Sequence, residues 1–234
     1  MFGFFYDSTY ILIIIGMVLS LLASAKVRST YAKYSSVRSM SGFTGAQAAE
    51  KILHYNGIYD VAVERVSGNL TDHYDPRGKV LRLSDSVYNQ TSVAAVGVAA
   101  HECGHAIQHA KGYAPLSIRS ALVPVANFGA NIAWPLILVG LFLNGSTSTL
   151  FINLGIILFA AAVVFQLVTL PVEFNASSRA VKALGETGIL YGDEVDKTRK
   201  VLGAAALTYV AAAAASILQL LRLLLLFGGR NRDD

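Results

Sequence analysis

The sequence predicts a mostly α-helical, polytopic membrane protein with about four transmembrane helices and a small α+β unit. Of its 234 residues, 54% are hydrophobic and only 15% are charged, whereas a soluble domain carries about 25% charged residues. Four apolar segments, at residues 10–25, 122–143, 150–170 and 204–227, each approach the ~20 residues that span a bilayer. We expect residues 1–234 to form a single membrane-embedded domain, with a soluble portion at 26–111.

The first apolar segment, residues 10–25, predicts a retained transmembrane helix rather than a cleaved signal peptide. No Lys or Arg precedes it, and Lys26 and Arg28 follow it directly. Signal peptides have the opposite order, with their basic residues before the apolar run. We therefore expect this segment to anchor the mature chain.

The soluble portion predicts a helix and a small sheet. Thr44 and Gln47 are typical of a helix start, and a helix from there through Tyr55 would end at Asn56-Gly57. Residues 61–66 predict a strand. The sequence DPRG at 75–78 predicts a turn, so that 69–74 and 79–84 would form a hairpin.

An apolar run from residue 92 leads into the sequence HECGH at 101–105. On a helix, residues four apart share a face, so His101 and His105 can direct their imidazoles at one metal ion. Glu102 can then act as the general base towards a water in the open metal position. Cys103 points away from that face, and we interpret it as a small buried residue.

The third ligand has two candidates on spacing alone. His109 lies about 12 Å along a straight helix from His101, too far for one ion. Glu173 follows the third apolar segment at Pro171, where we expect a helix boundary. It is either a metal ligand or a glutamate in the first turn of a new helix, where the helix dipole favours it. His54 and His73 lie upstream without other metal-ligand residues nearby.

The second and third apolar segments predict an antiparallel hairpin. The uncharged residues 144–149 between them suit a turn. Such a hairpin returns the chain to the membrane face it left, so Glu173 can reach the HECGH helix. The fourth segment contains Arg222, whose side chain must reach the membrane surface or pair with another group. This segment is either a full transmembrane span or a partly buried helix that lines the cavity of the active site.

Two blocks of sequence resemble the YugP-type membrane neutral zinc metallopeptidases. The first is carried by LTDHYDPR, VLRLS and AAHECGHAIQ between residues 70 and 108, and the second by VEFNASSRA at 172–180. The resemblance covers nearly the whole chain. It implies a zinc-dependent peptidase with a zincin-like catalytic unit, one Zn²⁺ held by His101, His105 and Glu173, and Glu102 as the base.

The second block is more distantly similar to one in the HtpX-type and CaaX-prenyl-protein membrane proteases. Those proteins carry an Asp four residues after the ligand Glu, oriented towards a ligand histidine. This chain has Ser177 at that position. Ser177 is therefore expected to make the corresponding contact more weakly, through a hydroxyl.

These expectations add up to an integral-membrane zinc endopeptidase that hydrolyses membrane or membrane-proximal proteins. A substrate strand would add to the edge of the strand at 80–83. Arg179, His73 and Tyr191 are candidates for stabilising the oxyanion. The alternative is a non-catalytic membrane partner protein that retains a structural zinc, which the intact Glu102 disfavours.

Charge indicates the partners and the orientation. The net charge of +4 is scattered, without the aromatic-interleaved basic patch typical of nucleic-acid binding. Basic residues mark the cytoplasmic side, which predicts a multi-pass cell-membrane protein with a cytoplasmic catalytic unit. The partners expected are a peptide or protein substrate and the bilayer, with a membrane-protein partner or homo-oligomer left open. The two basic clusters are Lys26, Arg28, Lys33 and Arg38, and Arg179, Lys182, Lys197, Arg199 and Lys200.

Overall fold

The structure, a computed structural model, describes residues 7–228. Within that range it contains six helices and one three-stranded sheet, which confirms the predicted fold class. The elements are α1 (Tyr10–Ser35), α2 (Gly45–Tyr55), β1 (Ala62–Val66), β2 (His73–Asp75), β3 (Val80–Ser84), α3 (Val93–Ala110), α4 (Ala114–Phe142), α5 (Gly145–Glu186) and α6 (Asp193–Phe227).

The chain forms two compact units. The helical unit comprises the described residues up to Ala23, then Ile118–Leu170, then those from Thr208 onward. The sheet unit comprises Ser24–Ser117 and Pro171–Leu207. Helices α1, α4, α5 and α6 contribute residues to both units, and these four are long and apolar enough to cross a membrane.

The helix of the third apolar segment does not end at Pro171, so the predicted boundary there is wrong. Pro171 lies inside α5, which continues to Glu186. A proline removes one backbone hydrogen bond and usually kinks a helix. Here the next turns are fixed by packing, because Val172, Ala176 and Ala180 are fully buried in the sheet unit.

The hairpin between α4 and α5 is tighter than the sequence predicts. Only two residues separate the helices, so 145–149, expected in the turn, are helical. The buried Ser148 hydroxyl donates to the Gly140 carbonyl at 2.7 Å, which holds the first turn of α5 against the end of α4. Further along, a Cβ on Gly155 would lie 2.8 Å from the Ala133 carbonyl oxygen. A small residue is thus required where the two backbones meet.

Arg222 pairs inside the helical unit. Its guanidinium lies 3.4 Å from the Asp7 carboxylate and 4.5 Å from the centre of the Tyr10 ring. The side chain is buried. This agrees with the expectation that an arginine within an apolar segment must find a partner.

The sheet has the order β1-β3-β2. The predicted hairpin forms, with β2 antiparallel to β3, and β1 adds parallel to the other side of β3. Strand β2 is shorter than predicted because the Asp72 carboxylate accepts from the Ser84 backbone N–H at 2.8 Å and replaces a backbone pair there. Strand β3 is therefore central, and the expectation that a substrate strand adds to its edge is wrong.

The core of the sheet unit is formed largely by α2, α3 and β3. Helix α2 starts where it was predicted, at the N-cap Thr44, whose side chain forms a capping box with that of Gln47, and its C-cap is Asn56. Helix α3 buries nearly its whole length, including Cys103. Because α3 is packed along nearly its whole length, its polar residues have fixed positions.

Candidate metal centre

Helix α3 places the two histidines of the HECGH sequence side by side. It begins after Ser92, whose side chain accepts from the Ala95 N–H at 3.2 Å. Eight residues into the helix, the rings of His101 and His105 lie with their centres 4.8 Å apart and their planes nearly perpendicular. Both side chains are mostly buried. The helical period therefore produces the pair of nitrogen donors that the spacing predicts.

Helix α5 brings Glu173 to the same point. Its Oε2 lies 3.3 Å from Nε2 of His101 and 3.6 Å from Nε2 of His105. The ligand atoms of the three residues all lie within 4.8 Å of one another. Donors about 2.1 Å from a tetrahedral zinc are about 3.4 Å apart, so these separations leave room for one ion between them.

The close approach of α3 and α5 depends on Gly104. A Cβ at that position would lie 2.4 Å from the carbonyl oxygen of Ala176. The glycine of HECGH, its fourth residue, thus allows the backbone of α5 to touch α3 within one turn of Glu173. Gly104 was not among the predicted site residues.

Each histidine has a partner for its second ring nitrogen. Nδ1 of His101 lies 3.1 Å from the Ser177 hydroxyl, the contact expected from the resemblance. Nδ1 of His105 lies 3.1 Å from Oε1 of Gln108. Occupied Nδ1 atoms leave both Nε2 atoms facing Glu173, as in metal sites with outer hydrogen-bonded partners.

Gln108 was not among the residues that the sequence predicts for the site. A signal was available, because Gln108 is a polar residue three positions after His105, on the same helical face, in an otherwise apolar stretch. The amide is fully buried, and a buried amide requires partners.

The electrostatics of the centre favour a cation. Burial alone would lower the pKa of His105, but its hydrogen bond to Glu173 and the charges of Glu102 and Glu173 outweigh burial. The pKa of His105 is therefore raised above its ordinary value. The buried Glu102 carboxylate follows the first histidine but lies outside the group of three convergent ligands.

The three oxyanion candidates lie in different surroundings. The Nε–H of Arg179 donates to Oδ1 of Asn175 at 2.7 Å, and its guanidinium lies over the Tyr113 ring. His73 contacts the Thr71 carbonyl from strand β2. Tyr191 is exposed between α5 and α6. Of these, only Arg179 contacts a residue of α5 near Glu173, namely Asn175, two positions further along.

The remaining histidines and the cysteine occupy other environments. Nδ1 of His109 lies 2.9 Å from the Tyr74 hydroxyl, and His54 stacks on Tyr59. The Cys103 thiol contacts the Ala49 carbonyl. Burial raises the pKa of Cys103 well above its ordinary value, so this thiol is protonated and unreactive.

The donor set fits zinc. Two imidazole nitrogens and one carboxylate oxygen converge, which is the ligand combination of catalytic zinc sites with one position left open. The Nδ1 atoms of both histidines contact outer partners, Ser177 and Gln108, which orient the two rings. Fold and site together define a membrane protein with a candidate zinc centre.

Comparison with known proteins gives the family. Residues 9–228 match the family described as "Putative neutral zinc metallopeptidase", and the chain belongs to it. The chain is also similar to the "Putative membrane protease YugP" of Bacillus subtilis (strain 168), with 51% identity over 223 residues that cover 95% of this chain and 98% of that protein. No solved structure matches the chain. The resemblance inferred from the sequence blocks is thus confirmed.

Proposed function

We propose that this chain is an integral-membrane zinc endopeptidase with His101, His105 and Glu173 as the ligands of one Zn²⁺. The observation that supports this most directly is the convergence of two Nε2 atoms and one Oε2 atom, with separations of 3.3 and 3.6 Å from the carboxylate. Family membership supports the metal and the class of substrate.

The reaction assigns separate tasks to the metal and to Glu102. When bound, zinc supplies a Lewis acid that polarises the scissile carbonyl and acidifies a water. Glu102 takes the proton of the attacking water on its carboxylate and delivers it to the leaving amine. Arg179 is our candidate for the group that stabilises the oxyanion.

The substrate is a peptide segment close to the bilayer, because α5 carries both a candidate membrane span and Glu173. An extended segment can dock by adding to a sheet edge. Strand β2 has one neighbour in the sheet, β3. The Tyr74 hydroxyl of β2 contacts His109 of the metal-binding helix, so a strand added to β2 runs beside α3.

The catalytic residues face the cytoplasm in this proposal. The basic residues after α1's apolar segment and after that of α5 support it. With Cys103 replaced, a cysteine at the exposed Ser146 should react with an impermeant thiol reagent in intact cells. A cysteine at the exposed Ser36 should react only after permeabilisation. The opposite pattern would place the centre outside.

The experiment that tests the function is metal analysis and casein cleavage by detergent-purified protein, with and without a chelator. We expect about one zinc per chain and chelator-sensitive cleavage. Zinc retention without cleavage of any of several unfolded substrates would instead support the non-catalytic partner protein with a structural zinc.

A further inference from the structure

Gln108 is a buried amide whose hydrogen-bonding groups are used on both sides. The side chain is fully buried. Its Oε1 faces Nδ1 of His105 at 3.1 Å. Its Nε2 donates to the Val172 carbonyl at 2.8 Å and to Oδ1 of Asn175 at 3.0 Å. This one residue of α3 therefore contacts a ligand on its own helix and two residues of α5.

The contacts fix which way the amide points. A backbone carbonyl can only accept a hydrogen bond, so the amide nitrogen of Gln108 must face Val172. The amide oxygen then faces His105, whose Nδ1 must carry the hydrogen. The surroundings of Gln108 thus select the His105 tautomer that leaves Nε2 with its lone pair.

The hydrogen bonds of Gln108 continue through Asn175 to the charged side chain of Arg179. The Arg179 guanidinium only donates, so the Asn175 atom that receives its Nε–H at 2.7 Å is the amide oxygen. That oxygen also receives the hydrogen bond from Gln108. Arg179 and Gln108 thus both donate hydrogen bonds to Asn175, and His105 donates to Gln108. A flip of either amide would place two like groups in contact.

Val172 and Asn175, the α5 partners of Gln108, flank the candidate ligand Glu173. They stand immediately before and two residues after Glu173. The amide that orients His105 therefore also holds the α5 backbone that presents the third ligand. Ordinary packing holds the helices together, but it does not select a tautomer.

We propose that Gln108 is a positioning residue of the zinc centre, which sets the His105 tautomer and ties the Glu173 segment to it. The role towards the metal rests on the proposed function. Loss of an outer partner of a ligand histidine typically lowers metal affinity about 10–100-fold, and we expect that range here because two ligands are affected.

The test is zinc affinity measured by chelator competition on the detergent-purified full chain. Gln108→Met, similar in length but without the amide, should bind zinc about 10–100-fold more weakly. Gln108→Glu keeps an oxygen towards His105 but turns its second oxygen on the Val172 carbonyl and Asn175 Oδ1, which only accept here, so it should also bind zinc more weakly than the parent. Gln166→Met is the matched control. Gln166 accepts from Ser216 within the helical unit, and its replacement should leave zinc affinity unchanged.

The visible absorption spectrum of the cobalt-substituted protein supplies a second readout. Gln108→Met should shift the cobalt bands because the His105 ring is no longer held, whereas Gln166→Met should not. Unchanged affinity and bands in a folded Gln108→Met protein would overturn the proposal.

A variant outside α3 keeps the test decisive if Gln108→Met does not fold. Asn175→Leu removes one anchor of the Gln108 amide and leaves the His105 contact in place. It should weaken zinc binding several-fold, and parent-like affinity would count against the network. If the parent itself binds no zinc, the proposed function fails first, and the two failures are distinguishable.

Discussion

Helices α3 and α5 contribute to the same centre in different ways. Helix α3 supplies His101 and His105 from within a single turn, so their proximity follows from helical geometry alone. Helix α5 supplies Glu173 across a helix contact, where a Cβ on Gly104 would meet the Ala176 carbonyl oxygen and Gln108 donates to the Val172 carbonyl. A short motif can thus bring together two candidate ligands and a candidate base, whereas the third candidate ligand is placed by contacts between distant segments.

The largest expected effect lies on the α3 side, at Glu102. Glu102→Gln preserves shape but removes the base, so peptide hydrolysis should fall by about 10²–10⁴-fold. Zinc content should stay near that of the parent, because Glu102 lies outside the three ligands. Hydrolysis rate and metal content are measured on the same sample. Parent-like turnover with zinc present would rule out this role.

The second prediction compares the two helices directly. Glu173→Ala should lower zinc affinity by more than the ~10–100-fold typical of losing an outer partner, and His105→Ala should do the same. Chelator competition measures both. His109→Ala is the control, since His109 contacts Tyr74 instead, and it should keep about one zinc per chain. Full zinc affinity in Glu173→Ala would leave α3 as the only source of ligands.

Features that depend on residues close together in the sequence could be predicted from it, whereas contacts between distant segments could not. The start of α2 and the histidine pair of α3 depend on residues three or four positions apart, and both were predicted. The contacts of Gln108 with α5 could not be predicted from spacing, because Val172 and Asn175 lie 64 and 67 positions downstream. The position of β1 could not be predicted either. Its parallel pairing makes β3 central, and nothing in the nearby sequence indicates that pairing. The helix boundary predicted at Pro171 was wrong because packing of the buried residues that follow it stabilises the helix against the proline's tendency to break it.

The third prediction tests the contact between the helices. Gly104→Ala places a methyl group 2.4 Å from the Ala176 carbonyl oxygen, so the backbones must separate. Overpacking of this kind costs about 1–3 kcal/mol, and zinc affinity should fall with it. The control is Gly203→Ala in α6, where an added Cβ meets nothing within 4 Å. Alanine is the better helix former by about 1 kcal/mol, so the control should be neutral or stabilising.

Thermal unfolding with and without zinc separates the two effects of Gly104→Ala. A lower unfolding temperature in both states, with weaker zinc binding, is the expected result. If Gly104→Ala behaved like Gly203→Ala in both measurements, the close approach would not be needed to place Glu173.

The smallest expected effect concerns the α5 residue that contacts an α3 ligand, Ser177. Its hydroxyl lies 3.1 Å from Nδ1 of His101, and a neutral acceptor holds an imidazole N–H less strongly than a carboxylate does. Ser177→Ala should therefore weaken zinc binding by about 10-fold, at the low end for outer partners. Ser177→Asp supplies a carboxylate at the same position and should bind zinc at least as tightly as the parent. Equal affinities of the Ala variant and the parent would show that α5 acts on the centre through Glu173 and the Gln108 network, without help from Ser177.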